Sequence, residues 1–254
     1  MQLIVLGSGT SIPLRDRSSP CLALILNDNT ILFDLGPGAL SQLARAGLDY
    51  EKVAQIFITH FHPDHTADII HFIFASRNPT VLSRRVPFVI TGPSGLKRLL
   101  SDIQNAYHNW LTLPSEAMKI DELEIGKTSK REYDGFSIFT CSADHTPHSL
   151  AYRVETQSGK SLVYSGDTGF SNDIVEIARG ADLLVLECSF PDGKEVQGHL
   201  TPSQAGRIAS QANVHRLLLT HFYPECLTTD IEAQCRKTYS GELILARDLL
   251  RVLI

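Results

Sequence analysis

Short apolar runs recur along the chain at residues 3–6, 22–26, 31–33, 56–58, 88–90, 136–139, 150–154, 162–164, 183–186 and 217–219. Each is bounded by glycine, proline, aspartate, asparagine or another polar residue, and runs of this length and flanking read as buried strands. Helical patterns lie between some of them. One covers residues 96–110 after Gly-Pro-Ser, with Ser94 expected as its N-cap, and another begins at Thr201-Pro-Ser-Gln204, where the spacing of threonine and glutamine predicts a capping box. Residues 42–46 and 230–239 also carry a helical pattern. The early runs follow one another without helices, which predicts antiparallel pairing, and the later runs alternate with helices. This mixture predicts two sheets packed face to face with helices outside. No linker of Pro, Ser and Gly divides the chain, so one domain spanning residues 1–254 is expected. One hexapeptide repeats in outline: Thr59-His60-Phe61-His62-Pro63-Asp64 resembles Thr220-His221-Phe222-Tyr223-Pro224-Glu225, each after an apolar run, as two halves related by duplication would give.

Composition narrows the classes. Hydrophobic residues are 43% and charged residues 20%, enough for a full core, which argues against disorder. No apolar run approaches the roughly 18 residues of a membrane span. The first residues read directly as a strand and glycine turn, so no signal peptide is expected. Formal net charge is −5, which argues against a bulk electrostatic binder of nucleic acid and leaves room for a local basic patch. Arg15, Arg17, Arg77, Arg84, Arg85, Lys97 and Arg98 are the candidates for such a patch. Five cysteines, an odd count without a C-x-x-C pair, suggest reduced thiols and a cytoplasmic protein.

Ten histidines change the picture most. His60-Phe-His62-Pro-Asp64-His65 sets four metal-ligand side chains within six positions, a density of imidazole and carboxylate that suits zinc or a similar divalent ion. Alternate residues of an extended chain share a face, so His60 and His62 can hold one ion, and a turn at Pro63 lets Asp64 and His65 address a second. The remaining ligands are expected at strand exits, where His145, Asp167, Glu187 and His221 stand. His148 is placed beside the site or on a plain loop. His71 is expected on a partly buried helix or strand, and His108 and His215 at the surface or core edge. Asp34 is expected to support the histidine loop by hydrogen bonds.

These motifs resemble the five-part signature of the metallo-β-lactamase superfamily, over residues 3 to about 222. Within it the chain is most similar to the ribonuclease Z branch. The resemblance rests on Leu6-Gly-Ser-Gly-Thr-Ser-Ile-Pro13 with Arg17, Phe33-Asp34-Leu-Gly36, His145-Thr-Pro-His-Ser149-Leu-Ala-Tyr152-Arg153, Tyr164-Ser-Gly-Asp-Thr168, Leu186-Glu187-Cys-Ser and Gly198-His199-Leu-Thr201. It implies an α+β fold, a four-layer αβ/βα sandwich with two mixed sheets. It also implies two divalent ions, zinc first with manganese or iron as alternatives. His60, His62 and His145 would hold one ion, Asp64, His65 and His221 the other, and Asp167 would bridge. A hydroxide between the ions would be the nucleophile, with Asp64 receiving its proton and His199, oriented by Glu187, facing the leaving oxygen or phosphate. The implied substrate is a phosphodiester, RNA or tRNA precursor included. The implied assembly is a homodimer, and no membrane is involved.

Two departures bear on the substrate. The tRNA-processing members insert a long basic arm between the lone histidine and the bridging aspartate, whereas residues 146–166 leave room only for a hairpin. The family's glycine and Leu-Pro-Gly-Leu run after the metal motif is Thr66-Ala-Asp68-Ile-Ile-His71 in this chain. The alternative is hydrolysis of lactones, carboxylic esters or sulfate esters on the same metal site. A binding module with a relic site would have lost ligands, and all are present.

Overall fold

The apolar runs are continuous because both faces of the strands are covered. In β1 (Gln2–Gly7), Leu3 and Val5 face one core while Ile4 and Leu6 face another, and β2 (Cys21–Leu26) and β3 (Asn29–Phe33) alternate in the same way. A strand buried on both sides shows no polar alternation. The computed structural model describes residues 1–26, 29–126 and 129–254. The remaining strands are β4 (Val53–Phe57), β5 (Phe88–Pro93), β6 (Met118–Leu123), β7 (Ser129–Tyr133), β8 (Phe136–Ser142), β9 (Leu150–Thr156), β10 (Ser161–Tyr164), β11 (Leu183–Glu187), β12 (Arg216–Thr220), β13 (Glu242–Leu245) and β14 (Leu250–Leu253). They form two seven-stranded sheets, β14-β1-β2-β3-β4-β5-β6 and β7-β8-β9-β10-β11-β12-β13.

Both sheets are mixed, and their pairing is the same. Three antiparallel pairs run from β14 to β3 and three parallel pairs from β3 to β6. In the other sheet three antiparallel pairs run from β7 to β10 and three parallel pairs from β10 to β13. One core lies between the sheets and includes Leu3, Val5, Phe33 and Phe57 of the first and Ile138, Tyr152 and Tyr164 of the second. Phe57 lies 5.4 Å from the rings of both Phe33 and Tyr152. The other core joins the outer face of the first sheet to the helices Ala39–Arg45, Asp68–Ser76 and Leu96–Ala106. The helices Asn172–Ile177 and Pro202–Gln211 contact the second sheet. The expected four-layer α+β sandwich is the architecture observed.

Several local expectations need correction. Strands β6 and β7 went unread because they lie at sheet edges and carry charged residues such as Lys119, Asp121, Lys130 and Arg131, as edges do to resist pairing with other chains; the four-residue edge strands β13 and β14 also went unread. The cap of helix Leu96–Ala106 is Gly95 at φ 106°, not Ser94. Its N-terminal amides at Gly95 and Lys97 both donate to Glu122 Oε1 at 2.9 Å, a carboxylate from β6 doing what a serine side chain would have done. The capping box at Thr201 and Gln204 forms as expected. The hexapeptide echo follows β4 and β12, yet the common pairing order matches β4 with β11 and β5 with β12. The architecture repeats, and the echo does not fall on equivalent strands.

Candidate metal centre

The motif His60-Phe-His62-Pro-Asp64-His65 begins just past β4 and ends in the short helix Pro63–Thr66. Pro63 occupies the first turn after an extended His62, so the chain reverses and carries Asp64 and His65 back under His60. His145 follows β8, Asp167 follows β10 and His221 follows β12. His221 takes φ 59° and Asp34 φ 58°, left-handed conformations that cost about 1–3 kcal/mol each and are held where the surroundings need them.

The ligand atoms converge as two main groups, and Asp167, His199 and His221 form a third that overlaps them. One nitrogen or oxygen from each of His60, His62, His145 and Asp167 lies within 4.8 Å of the others, and the same holds for Asp64, His65 and His221. The Asp167 carboxylate stands between them. Its Oδ2 is 3.8 Å from both His60 Nε2 and His145 Nε2, and its Oδ1 is 3.2 Å from His65 Nε2 and 3.3 Å from His221 Nε2. Four atoms of this cluster, His60 Nε2, His65 Nε2, His221 Nε2 and Asp167 Oδ1, are buried without a hydrogen-bond partner. Buried polar atoms are nearly always satisfied, so a set of unpartnered nitrogen and oxygen atoms aimed at one point fits cations.

Outer hydrogen bonds turn the bare nitrogens inward. His65 Nδ1 donates to Asp34 Oδ2 at 2.7 Å, and His145 Nδ1 donates to the Gly198 carbonyl at 2.9 Å. Asp34 also accepts from the Thr59 amide at 2.8 Å and from the Tyr164 hydroxyl at 3.0 Å, so the expected support of the histidine loop is present. Burial, with the neighbouring imidazoles, holds His60 well below the ordinary imidazole range, which favours the neutral form a ligand needs. Burial alone would raise Asp167, but His221, His65 and His60 outweigh it and hold its carboxyl well below the usual range. Asp64 is lowered in the same way, with burial opposed by His221 and His65.

His199 lies beside this cluster, its ring 4.8 Å from His145 and stacked at 6.1 Å on His221. Its Nδ1 donates to Glu187 Oε1 at 2.7 Å. Burial would lower His199, but the Glu187 carboxylate more than offsets it, and the imidazole is raised above its ordinary value. Glu187 is buried and also accepts from the amides of Thr168, Ser189 and Leu200, so the exits of β10 and β11 and the loop before helix Pro202–Gln211 meet on it.

Other sequence expectations resolve as follows. His148 stays outside the cluster; its Nδ1 donates to the Ser94 carbonyl at 2.9 Å, and its ring packs 5.7 Å from Phe61. His71 is on a partly buried helix as expected, its own side chain exposed, and His108 and His215 are exposed. The expected basic patch is largely dismantled. Arg17 donates to Ser8 Oγ and the Ala246 carbonyl and lies over the Phe222 ring. Arg84 grips Glu51 with two hydrogen bonds, and Arg85 is buried against Phe88 and Phe72. Arg77 covers Trp110, while Arg15, Lys97 and Arg98 remain exposed. Thr59, Tyr164 and Ser189 stand within the quoted motifs but received no role from the sequence, and Asp248 was missed. Asp248 accepts from Ser8, Ser18 and Gln42 and anchors the loop after β1.

The comparisons with known proteins follow the same lines. The β-lactamase superfamily domain is matched over residues 29–222. Ribonuclease Z from Streptomyces coelicolor is 30% identical, with 99% of this chain and 97% of that protein covered by an alignment of 295 positions, longer than the 254 residues present. The metallo-β-lactamase fold protein YhfI from Bacillus subtilis superposes with a TM-score of 0.85 at 22% identity, covering 99% of both chains. Human tRNase Z, short form, superposes with a TM-score of 0.81 at 23% identity, covering 100% of this chain and 99% of that one.

Proposed function

Since the chain belongs to the β-lactamase superfamily, in its ribonuclease Z branch, we propose that residues 1–254 are one hydrolase domain that cleaves phosphodiesters on a centre of two divalent ions. The observation that carries this reading is Asp167, buried with one oxygen toward each imidazole group. In this reading His60, His62 and His145 would hold one ion and Asp64, His65 and His221 the other, with Asp167 available to both. Imidazole and carboxylate donors without thiolate suit zinc, with manganese and iron as alternatives. Bound there, the ions supply Lewis acidity and an acidified water. Asp64, whose carboxyl burial would raise but His221 and His65 hold lowered, would be the residue to receive a proton there. His199, raised above its ordinary value by Glu187, would donate to the leaving oxygen or to the phosphate.

RNA is the substrate class that the ribonuclease Z relatives support, with a tRNA precursor as the first candidate. The short 146–166 segment and the cations already engaged in structure support a smaller phosphodiester or a short RNA end over a long duplex grip. A cytoplasmic location is supported by the five free, buried cysteines. Among the described residues no helix is long and apolar enough to cross a membrane. A homodimer is supported by the exposed aromatic face of Phe74, Tyr107 and Trp110, and sedimentation equilibrium reads it directly.

With zinc or manganese, the purified protein is expected to hydrolyse bis(p-nitrophenyl) phosphate, and a precursor tRNA with a 3′ trailer tests RNA processing. Inactivity on every phosphodiester together with rapid lactone opening would transfer the site to the ester-hydrolase reading.

A further inference from the structure

Two hydroxyl groups stand where imidazoles of the centre would otherwise lack an outer partner. Thr59 Oγ lies 3.0 Å from His60 Nδ1 and donates to Asp34 at 2.9–3.0 Å. Ser189 Oγ lies 2.9 Å from His221 Nδ1 and donates to Glu187 Oε2 at 2.6 Å. Each hydroxyl has one proton, and the carboxylate takes it. The hydroxyl oxygen is then left to accept, so the facing imidazole must carry its own proton on Nδ1. Nε2 is thereby a bare lone pair, and His60 Nε2 and His221 Nε2 are both buried and unpartnered.

The two sets are built alike, save that Ser189 Oγ also lies 3.2 Å from His199 Nδ1. Asp34 binds His65 directly and His60 through Thr59, while Glu187 binds His199 directly and His221 through Ser189. One buried carboxylate thus orients two imidazoles, and the same device serves both halves of the molecule. Packing keeps the first hydroxyl in place: Gly166 takes φ 58°, and a Cβ there would come within 2.7–2.8 Å of the Thr59 side chain. Thr59 and Ser189 are themselves fully covered, so water cannot replace either oxygen without opening the core.

We infer that Thr59 and Ser189 are positioning residues that pass the orientation of a buried carboxylate to His60 and His221 and fix each ring's proton on Nδ1. This rests on the two-ion reading, because the bare Nε2 atoms are taken to meet cations. Neither residue touches substrate; each acts through a histidine.

The test uses the full chain as Ser189→Ala, Ser189→Thr, Thr59→Val and Thr59→Ser, with zinc affinity measured by competition against a chelator. Loss of an outer partner of a metal-bound histidine weakens affinity about 10–100-fold, so Ser189→Ala and Thr59→Val are expected to fall by that factor. The hydroxyl-keeping variants should recover most of it, which a merely structural role would not require. Histidine nitrogen NMR on the wild-type, metal-free protein gives a second readout that needs no variant to fold: His60 and His221 should both be Nδ1–H tautomers. Wild-type affinity in folded Ser189→Ala and Thr59→Val, or Nε2–H tautomers in the wild type, would overturn the inference. Wild-type protein that binds fewer than two ions while showing the Nδ1–H tautomers would instead sink the two-ion reading and leave the relay standing.

Discussion

Among single residues, the division between holding ions and moving protons gives the sharpest contrast. Asp167 presents both oxygens to histidines of the two groups, so Asp167→Ala is expected to lose both ions in metal analysis of the purified protein. In our reading His199 serves the reaction rather than the ions, and His199→Ala should keep two ions per chain while turnover falls about 10²–10⁴-fold. The pH profile separates them further. Burial lowers His199 but Glu187 raises it by more, so the protonated acid persists above the ordinary imidazole range and is lost as pH rises through the raised value. Glu187→Gln removes that charge, and the alkaline limb of the rate profile should move to lower pH. An unmoved limb would take His199 out of the acid role. The His60–His65 motif was legible because four of the donors stand within six positions of one another in the sequence. The roles of Arg17, Arg84 and Arg85 were not, because a cation's partner is set by the fold: Ser8 and Ala246 for Arg17, Glu51 for Arg84, Phe88 for Arg85.

At the level of elements, strand ends decide where chemistry can sit. Strands β4, β8, β10, β11 and β12 deliver His60, His145, Asp167, Glu187 and His221 at or just beyond their C-terminal ends, and rigid strands set their spacing. The loop between β1 and β2 is fastened beside them. Asp248 accepts from the Ser8 amide at 2.9 Å, the Ser18 amide at 2.7 Å and Gln42 Nε2 at 2.7 Å, and Ser8 O in turn accepts from the Phe222 amide at 3.3 Å. Removing the carboxylate leaves two amides and a side-chain amide without it, so Asp248→Ala is expected to cost about 2–4 kcal/mol in denaturant unfolding. A loss under 0.5 kcal/mol would mean the loop is held by something else. The central strands were readable as apolar runs because both faces are buried. The outer strands β6 and β7 were not, since their charged faces give no apolar run.

For the molecule as a whole, the centre joins two halves of like pairing order. His60, His62, Asp64 and His65 leave the first sheet, and His145, Asp167 and His221 leave the second. A ligand that binds only the folded state stabilises it by mass action, about 4 kcal/mol at a thousandfold excess over Kd. Chelation is therefore expected to lower the thermal midpoint in calorimetry, and Asp167→Ala should show no such dependence. A midpoint indifferent to chelator would mean that the ions do not tie the halves together.

Sequence alone determined the kinds of atoms available and the β-lactamase-type order of motifs: the histidine and carboxylate donors, the apolar strands and the capping box are all local, and local chemistry constrains neighbours. Tertiary structure alone decided which donors meet. Asp167 reaches histidines of both groups only because two sheets close face to face, and Asp34 and Glu187 orient imidazoles they do not adjoin in the chain. Long-range pairing also consumed most of the cations that looked free. Charges and hydrogen bonds act over a few ångströms, and only folding sets which residues come that close.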